Sequence, residues 1–325
     1  MKRVFICLAI LFFIVACMGA QPQQEKARTI QLTLHPVKAS ESARQYRLLP
    51  KADQLTDADA VPLYEKAVQS LPGNLQTEQT SQWLKSPLDK LPRQQVQSTL
   101  QQFKPTLQLL EQAAKCKRCD WSYEYVDDET QSQKLRGYRT IVFLLALQVR
   151  FQIAQGRYDK ALCTMQTGFA MAKHLSNGPT LVDGFVGIGT GTFICRQLEQ
   201  FVQRPDTPNL FWALRDLPQP FLDLTQQSKL EDLDTREKAH LLMNRLDRHV
   251  AALQCVEAIR LYAGAHDGKF PNELSSITGI SVPSDPVMQK PFVYRCTGYN
   301  AVLQAPAPKG ATERDAMRYE LKLKE

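Results

Sequence analysis

Residues 132–175, SQKLRGYRTIVFLLALQVRFQIAQGRYDKALCTMQTGFAMAKHL, decide the fold class of this chain. Apolar residues recur at helical spacing on both sides of Gly156, as on one face of an α-helix. The pattern therefore predicts two helices that meet at Gly156 and pack as a helical hairpin. We expect the core of this hairpin to contain Leu144, Leu147, Phe151, Ala161, Met165 and Phe169.

The second helix of this hairpin resembles the second half of a tetratricopeptide repeat (TPR), in which small residues let paired helices approach closely. The matching positions are Gly156, Tyr158, Ala161 and Met165. The resemblance covers barely one repeat, and the first helix lacks the pattern. Because one unit cannot bury its own apolar face, the resemblance implies a TPR-like body and does not extend to a solenoid array.

Four segments are predicted along the chain. Residues 1–20 are an export signal, and residues 21–60 are an extended segment in which Ile30, Leu32 and Leu34 alternate as one short strand. Residues 61–235 have helical periodicity and form the helical body, with one helix predicted over residues 180–203. Residues 236–325 are predicted to hold a long helix, which stops at Asp267-Gly268, and a small β head.

The composition is that of a globular protein long enough for more than one domain, with 325 residues, 43% hydrophobic and 22% charged. The formal charge of +7 includes Lys2 and Arg3, which belong to the export signal. Basic and acidic residues are interleaved elsewhere, and no run of five like charges occurs. This distribution argues against a nucleic-acid partner.

The N-terminal sequence MKRVFICLAILFFIVACMGAQPQQ predicts export. Its apolar run, residues 4–16, is too short to span about 30 Å of hydrocarbon. Residues 14–17, IVAC, resemble the lipobox of bacterial lipoproteins, which implies that Cys17 is lipidated and becomes the first residue of the mature chain. The alternative is ordinary cleavage near Ala20. We expect a protein of the periplasm or outer membrane, held at the membrane by its lipid rather than released.

Six cysteines follow Cys17. Cys116 and Cys119 form a single CxxC, a spacing that occurs in redox pairs, zinc sites and local disulfides. No second CxxC or parallel-sheet pattern accompanies it, and export favours oxidation, so we interpret the pair as a local disulfide or as structural thiols. Cys255 on the long helix and Cys296 on a strand are predicted to face one core, where they form a disulfide or remain separate buried thiols.

The sequence contains no recognisable catalytic or cofactor motif. No two of the five histidines lie three or four residues apart, which excludes a helical metal pair, and no serine lies in GxSxG. The glycines Gly184, Gly187, Gly189 and Gly191 have the wrong spacing for a nucleotide-binding loop and predict close helix packing instead. We therefore predict no catalytic, cofactor-binding or metal-binding residues.

The C-terminal part resembles the globular head of the major pseudopilin of type II secretion systems. The resemblance covers about residues 253–303 and rests on Tyr262, Asp267-Gly268, Pro271, Leu274, Asp285-Pro286 and the PFVY of residues 291–294. It implies a helix with a glycine stop and an aspartate-proline turn that returns an aromatic strand onto the helix. The cleavage glycine, the hydrophobic stem and the calcium loop of that family are missing, so neither pilus entry nor calcium binding is implied.

The mature chain is also similar to a family of uncharacterised exported planctomycete proteins, through HPVKASESARQYRLLP at 35–50, CDW at 119–121 and PNLFWALRDLPQPFLDL at 208–224. No function comes with that resemblance. Together, these features predict a mainly α fold, with a helical-hairpin (TPR-like) body and a small C-terminal α+β pseudopilin-like head.

The expected function is that of a lipid-anchored scaffold component of the cell envelope that binds other envelope proteins. Two alternatives remain open. One is an envelope enzyme, such as a hydrolase of envelope polymers, whose site is assembled from scattered residues. The other is an accessory subunit of a type II secretion-like system.

Overall fold

The computed structural model describes residues 28–72, 75, 77–121, 128–228 and 232–324. The predicted export signal lies outside these residues, so its cleavage and the lipidation of Cys17 stay predictions. None of the helices in the described ranges is long and apolar enough to cross a membrane.

The fold is mainly α-helical with a small C-terminal sheet, as the sequence predicts. The helices are α1 Val61–Gln69, α2 Glu78–Lys85, α3 Arg93–Gln102, α4 Lys104–Ala113, α5 Asp128–Ala154, α6 Tyr158–Ser176, α7 Leu181–Phe201, α8 Phe211–Arg215, α9 Thr225–Ser228 and α10 Leu233–Ala265. The strands are β1 Arg28–Leu34, β2 Thr56–Asp59, β3 Cys116–Arg118, β4 Ser284–Asp285, β5 Lys290–Pro291, β6 Val293–Thr297, β7 Asn300–Ala305 and β8 Met317–Leu323.

Helices α5, α6 and α7 form the centre of the helical body. The predicted hairpin is present, with α5 and α6 meeting at Gly156. Helix α7 begins after Thr180, whose hydroxyl oxygen accepts the Asp183 amide N–H while the Asp183 carboxylate accepts that of Thr180. Gly187 of α7 lies so close to α6 that a Cβ added there would stand 2.7 Å from the Ala172 carbonyl oxygen. The predicted close packing of helices is therefore confirmed at Gly187.

The residues predicted for one hairpin core divide between two apolar clusters. Those on α6 join the larger cluster, which also includes side chains of α7, α10 and the sheet: Ala161, Met165 and Phe169. Those on α5 join a second cluster with residues of α2 and α3: Leu144, Leu147 and Phe151, packed with Trp83, Val96 and Leu100. The prediction of a single core was wrong because α5 is apolar around most of its circumference and buries two faces.

The sheet joins distant parts of the chain. Its strand order is β1-β8-β7-β6, with β6 and β8 antiparallel to β7 and β1 parallel to β8. Leu32 and Leu34 of β1 are buried against the helices. The strand predicted within residues 21–60 is therefore an edge strand of the head sheet. Two short pairs, β2 with β3 and β4 with β5, lie outside this sheet.

Helix α10 packs against both the body and the head. The backbone after it turns at Asp267 and Gly268, with φ of 52° and 69°, at the stop that the sequence predicts. Two of its arginines are buried with carboxylate partners. Arg248 Nη2 lies 2.7 Å from Asp285 Oδ2, and Arg260 Nη1 lies 3.0 Å from Glu257 Oε2. Because each buried charge has a counter-charge, these pairs avoid the cost of an isolated buried ion. The pair of Arg248 and Asp285 also holds the Asp285 turn on the helix.

Candidate interaction surface

Strand β6 forms an open edge of the head sheet. It is joined to β7 by Gly298 and Tyr299, and Gly298 has φ 59°, as the first central residue of a type II′ turn requires. Thr297 and Asn300 are the register pair that closes this hairpin. In such a ladder alternate residues exchange hydrogen bonds with the partner strand. The N–H and C=O groups of Tyr294 and Cys296 consequently point away from β7, toward the open edge.

Exposed apolar and aromatic side chains gather at this edge. Val293 and Tyr299 are 38% and 53% exposed, and Leu233 is the other large hydrophobic residue found exposed within the described ranges. Tyr294 and Cys296 are half-buried on the inner face of β6, as the predicted alternation requires. Aromatic residues exposed next to an open sheet edge are typical of protein interfaces. We refer to Val293, Tyr294, Arg295, Thr297 and Tyr299 as the β6 surface.

The C-terminal end of α10 adds aromatic residues beside the β6 surface. The rings of Tyr262 and His266 stack with their centroids 3.8 Å apart. The Tyr294 hydroxyl is buried beside the Cys296 thiol. Burial raises the pKa of this phenol, and the nearby Cys296 and Tyr262 raise it further. The hydroxyl therefore remains a neutral donor at neutral pH.

A groove lies between the first half of α10 and the loop that joins β7 to β8. Its volume is about 350 Å³, and Lys238, Arg245, Lys309 and Asp315 are among the residues that line it. Most of these charges are already paired: Arg245 Nε is 2.5 Å from Asp315 Oδ1, and Lys238 Nζ is 2.5 Å from Asp234 Oδ2. The groove therefore offers little unbalanced charge to a ligand.

The arrangement closest to acid–base chemistry is a buried cluster on Glu199. Glu199 Oε1 lies 2.7 Å from His249 Nε2 and accepts the Tyr319 hydroxyl at 3.0 Å. Burial opposes ionisation of Glu199. The positive charge of His249, its hydrogen bond to Glu199 and the charge of Arg28 outweigh burial and hold the pKa of Glu199 below the ordinary 4.5. The Glu199 and His249 side chains are 4% and 6% exposed, so this cluster is sealed from substrate.

The segments of residues 35–50 and 208–224 touch each other around Trp212. The guanidinium carbons of Arg44 and Arg215 lie 4.9 Å and 4.4 Å from the centre of its ring. Asp216 lies between Arg47 at 3.5 Å and Arg215 at 3.3 Å. Asp216 thus pairs with two of the three guanidinium groups, and the contact fastens the two segments together.

The six cysteines that the structure describes are free thiols. Cys255 Sγ is 3.5 Å from the Pro283 carbonyl oxygen, whereas Cys296 Sγ is 3.7 Å from that of Gly298. Neither candidate disulfide, Cys116 with Cys119 or Cys255 with Cys296, is formed in this arrangement. Burial raises the pKa of the Cys119 thiol, which disfavours the thiolate that redox catalysis needs.

Two features, the buried Glu199 cluster and the open edge of β6, were not predicted from the sequence. Glu199, His249 and Tyr319 share no motif, and the protein brings them together from α7, α10 and β8. The open edge of β6 depends on strand order, which local patterns do not give. Within the described residues, no group of histidine, cysteine and acidic side chains is placed to hold a metal ion.

No protein-family model, no curated protein and no solved structure matches this chain.

Proposed function

We propose that this protein is an exported, lipid-anchored component of the cell envelope that binds other envelope proteins through its head. The observation that carries the proposal is the β6 surface, where exposed Val293 and Tyr299 flank the open edge of the sheet. Scattered exposed apolar residues are normal on proteins, but their concentration at an open sheet edge is characteristic of a binding site. The lipobox-like sequence ending at Cys17 supports the membrane anchor.

The finer architecture belongs to the same proposal. A TPR-like body is supported by Tyr158, Ala161 and Met165 next to the turn at Gly156, where α6 packs against α5. A pseudopilin-like head is supported by the buried Asp285, whose carboxylate accepts the Val287 amide N–H at 2.9 Å and shapes the turn before the aromatic strand. This turn keeps an accessory subunit of a type II secretion-like system as the second candidate.

The rival proposal, an envelope enzyme, has weaker support. Its best candidate group is the pair of Glu199 and His249, which is sealed inside the protein. A general base must reach the proton that it removes from a substrate. The buried position of this pair suits a structural role, in which it holds the helical body and the head together.

Chemical cross-linking in intact envelopes tests the proposed function. We expect discrete cross-linked species with the wild-type chain that disappear in a Val293→Ser, Tyr299→Ser double variant. Leu233→Ser is the matched control, because Leu233 is 70% exposed and lies at the start of α10, outside the β6 surface. Identical species from all three chains, or none from any, would contradict the proposal.

A further inference from the structure

The two edges of the head sheet differ in how they are covered. At the β1 edge, the side-chain oxygen of Gln203 accepts the Thr33 amide N–H at 3.1 Å, and Arg28 lies 3.6 Å from Glu199. At the β6 edge, the described part of the chain contributes no backbone hydrogen bond apart from those to β7. The β6 edge is therefore the one with main-chain donors and acceptors left for another strand.

Arg295 lies at the centre of this open edge. It is exposed on the outer face of β6 between Val293 and Thr297, and its register partner on β7 is the apolar Val302. None of the ion pairs within the described ranges includes Arg295. Directly opposed cross-strand pairs of opposite charge are stabilising, and like charges are destabilising. An added strand would therefore place one residue beside an unpaired guanidinium group.

The same argument disfavours a second copy of this chain as the occupant. Antiparallel pairing of β6 with itself, in the register that joins Tyr294 to Cys296 of the other copy, would set Arg295 opposite Arg295. That pairing brings two like charges together on one face of the sheet.

We propose that β6 accepts an extended segment of another protein as an added strand, with an acidic side chain of that segment beside Arg295. The main-chain groups of Tyr294 and Cys296 form the hydrogen bonds, and Arg295, Val293 and Tyr299 select the side chains of the partner. This inference rests on the proposed protein-binding function and specifies the chemistry of its partner.

Peptide binding to the full-length chain in detergent tests the selectivity. The probes are two labelled, alternating threonine and valine peptides, one with a central glutamate and the other with a central lysine. We expect saturable binding, with the glutamate peptide about fivefold tighter, since opposite-charge and like-charge pairs together differ by about 1 kcal/mol. Arg295→Glu should reverse this order. Arg318→Glu, the same charge change on the interior strand β8, should leave the order unchanged.

Backbone methylation of the glutamate peptide tests the pairing mode. Because an added strand bonds through one edge, N-methylation of alternate residues should abolish binding for one set of positions and preserve it for the other set. The inference is overturned if neither peptide binds saturably, if Arg295→Glu does not reverse the preference, or if both methylation patterns have equal effects. Loss of this selectivity while cross-links at the β6 surface persist would overturn strand addition and leave the proposed function standing.

Discussion

His249 Nε2 lies 2.7 Å from Glu199 Oε1, and this contact joins the long helix α10 to helix α7 of the body. The same oxygen accepts the Tyr319 hydroxyl, so a strand of the head is attached to the pair. The cluster is buried and hydrogen-bonded on several sides, as a buried charge requires. The position of the head on the body, and so of the β6 surface, therefore depends on Glu199.

Replacing Glu199 by glutamine should lower the free energy of unfolding by about 2–3 kcal/mol at pH 7, because hydrogen bonds to a charged group become neutral ones. The folded pKa of Glu199 lies below its ordinary value of 4.5. Its contribution is therefore complete above pH 4.5 and is lost as the pH falls through the folded pKa. Urea denaturation of both proteins between pH 3 and 7 should show the difference shrinking at the acid end.

Asp89→Asn is the control for Glu199→Gln. Asp89 pairs with Arg204 at 2.8 Å, but its side chain is 74% exposed. A solvated pair of this kind contributes little, so we expect a change within about 0.5 kcal/mol. A Glu199→Gln variant as stable as this control at pH 7 would show that the cluster does not fasten the head.

Asp247 should behave in the opposite way with pH. Burial raises its pKa from 3.8 to about 6, although its carboxylate accepts the Phe221 amide N–H at 2.9 Å. Asp247 ionises at a lower pH in the unfolded chain than in the folded one. The free energy of unfolding is therefore highest below pH 3.8 and decreases as the pH rises from 3.8 to about 6. Asp247→Asn should therefore be more stable than wild type by about 1–2 kcal/mol at pH 7 and equal to it near pH 4. A difference in the free energy of unfolding between Asp247→Asn and wild type that does not vary with pH would contradict this account of Asp247.

The second apolar cluster makes its own prediction. Phe151 is buried there between helices of the body. Replacing it by alanine should cost about 3–5 kcal/mol, through lost burial and the cavity that remains. Leu233→Ala, on an exposed side chain, should change the stability within about 0.5 kcal/mol. A loss below about 1 kcal/mol for Phe151→Ala would mean that the cluster collapses around the missing ring.

Local patterns in the sequence predicted much of the fold. Periodicity and turn residues gave the hairpin at Gly156, the glycine stop at Gly268 and the inward face of Tyr294 and Cys296. These features depend on neighbours along the chain. The pairing of β1 with β8 depends on segments at opposite ends of the described chain, so no turn signal marks it.

Some features of the candidate site could not be predicted from the sequence, because they depend on contacts between residues far apart along the chain. The outer edge of β6 is open because β1 pairs with β8 at the opposite end of the sheet and not with β6. The partners of Glu199 lie on other elements, and no spacing rule connects them. The core divides into two because the apolar residues of α5 surround the helix. Such a pattern does not indicate which face of the helix meets which neighbour.

The membrane anchor is tested at Cys17. We expect mass spectrometry of the mature chain to find Cys17 as its first residue with acyl groups attached, as the lipobox-like IVAC sequence implies. Cys17→Ser should release the protein from the membrane fraction. A mature chain that begins at Gln21 without an acyl group would establish ordinary cleavage instead.

Site-specific photo-cross-linking in intact cells tests the central claim, that the β6 surface contacts another envelope protein. A photoreactive amino acid is placed at Tyr299 on the β6 surface in one chain and at Leu233 in a second chain; both positions are exposed. We predict a discrete adduct of this chain with one envelope protein from position 299, weakened when Arg295→Glu is added, and no such adduct from position 233. The absence of an adduct at position 299, or the same adduct from both positions, would contradict the claim.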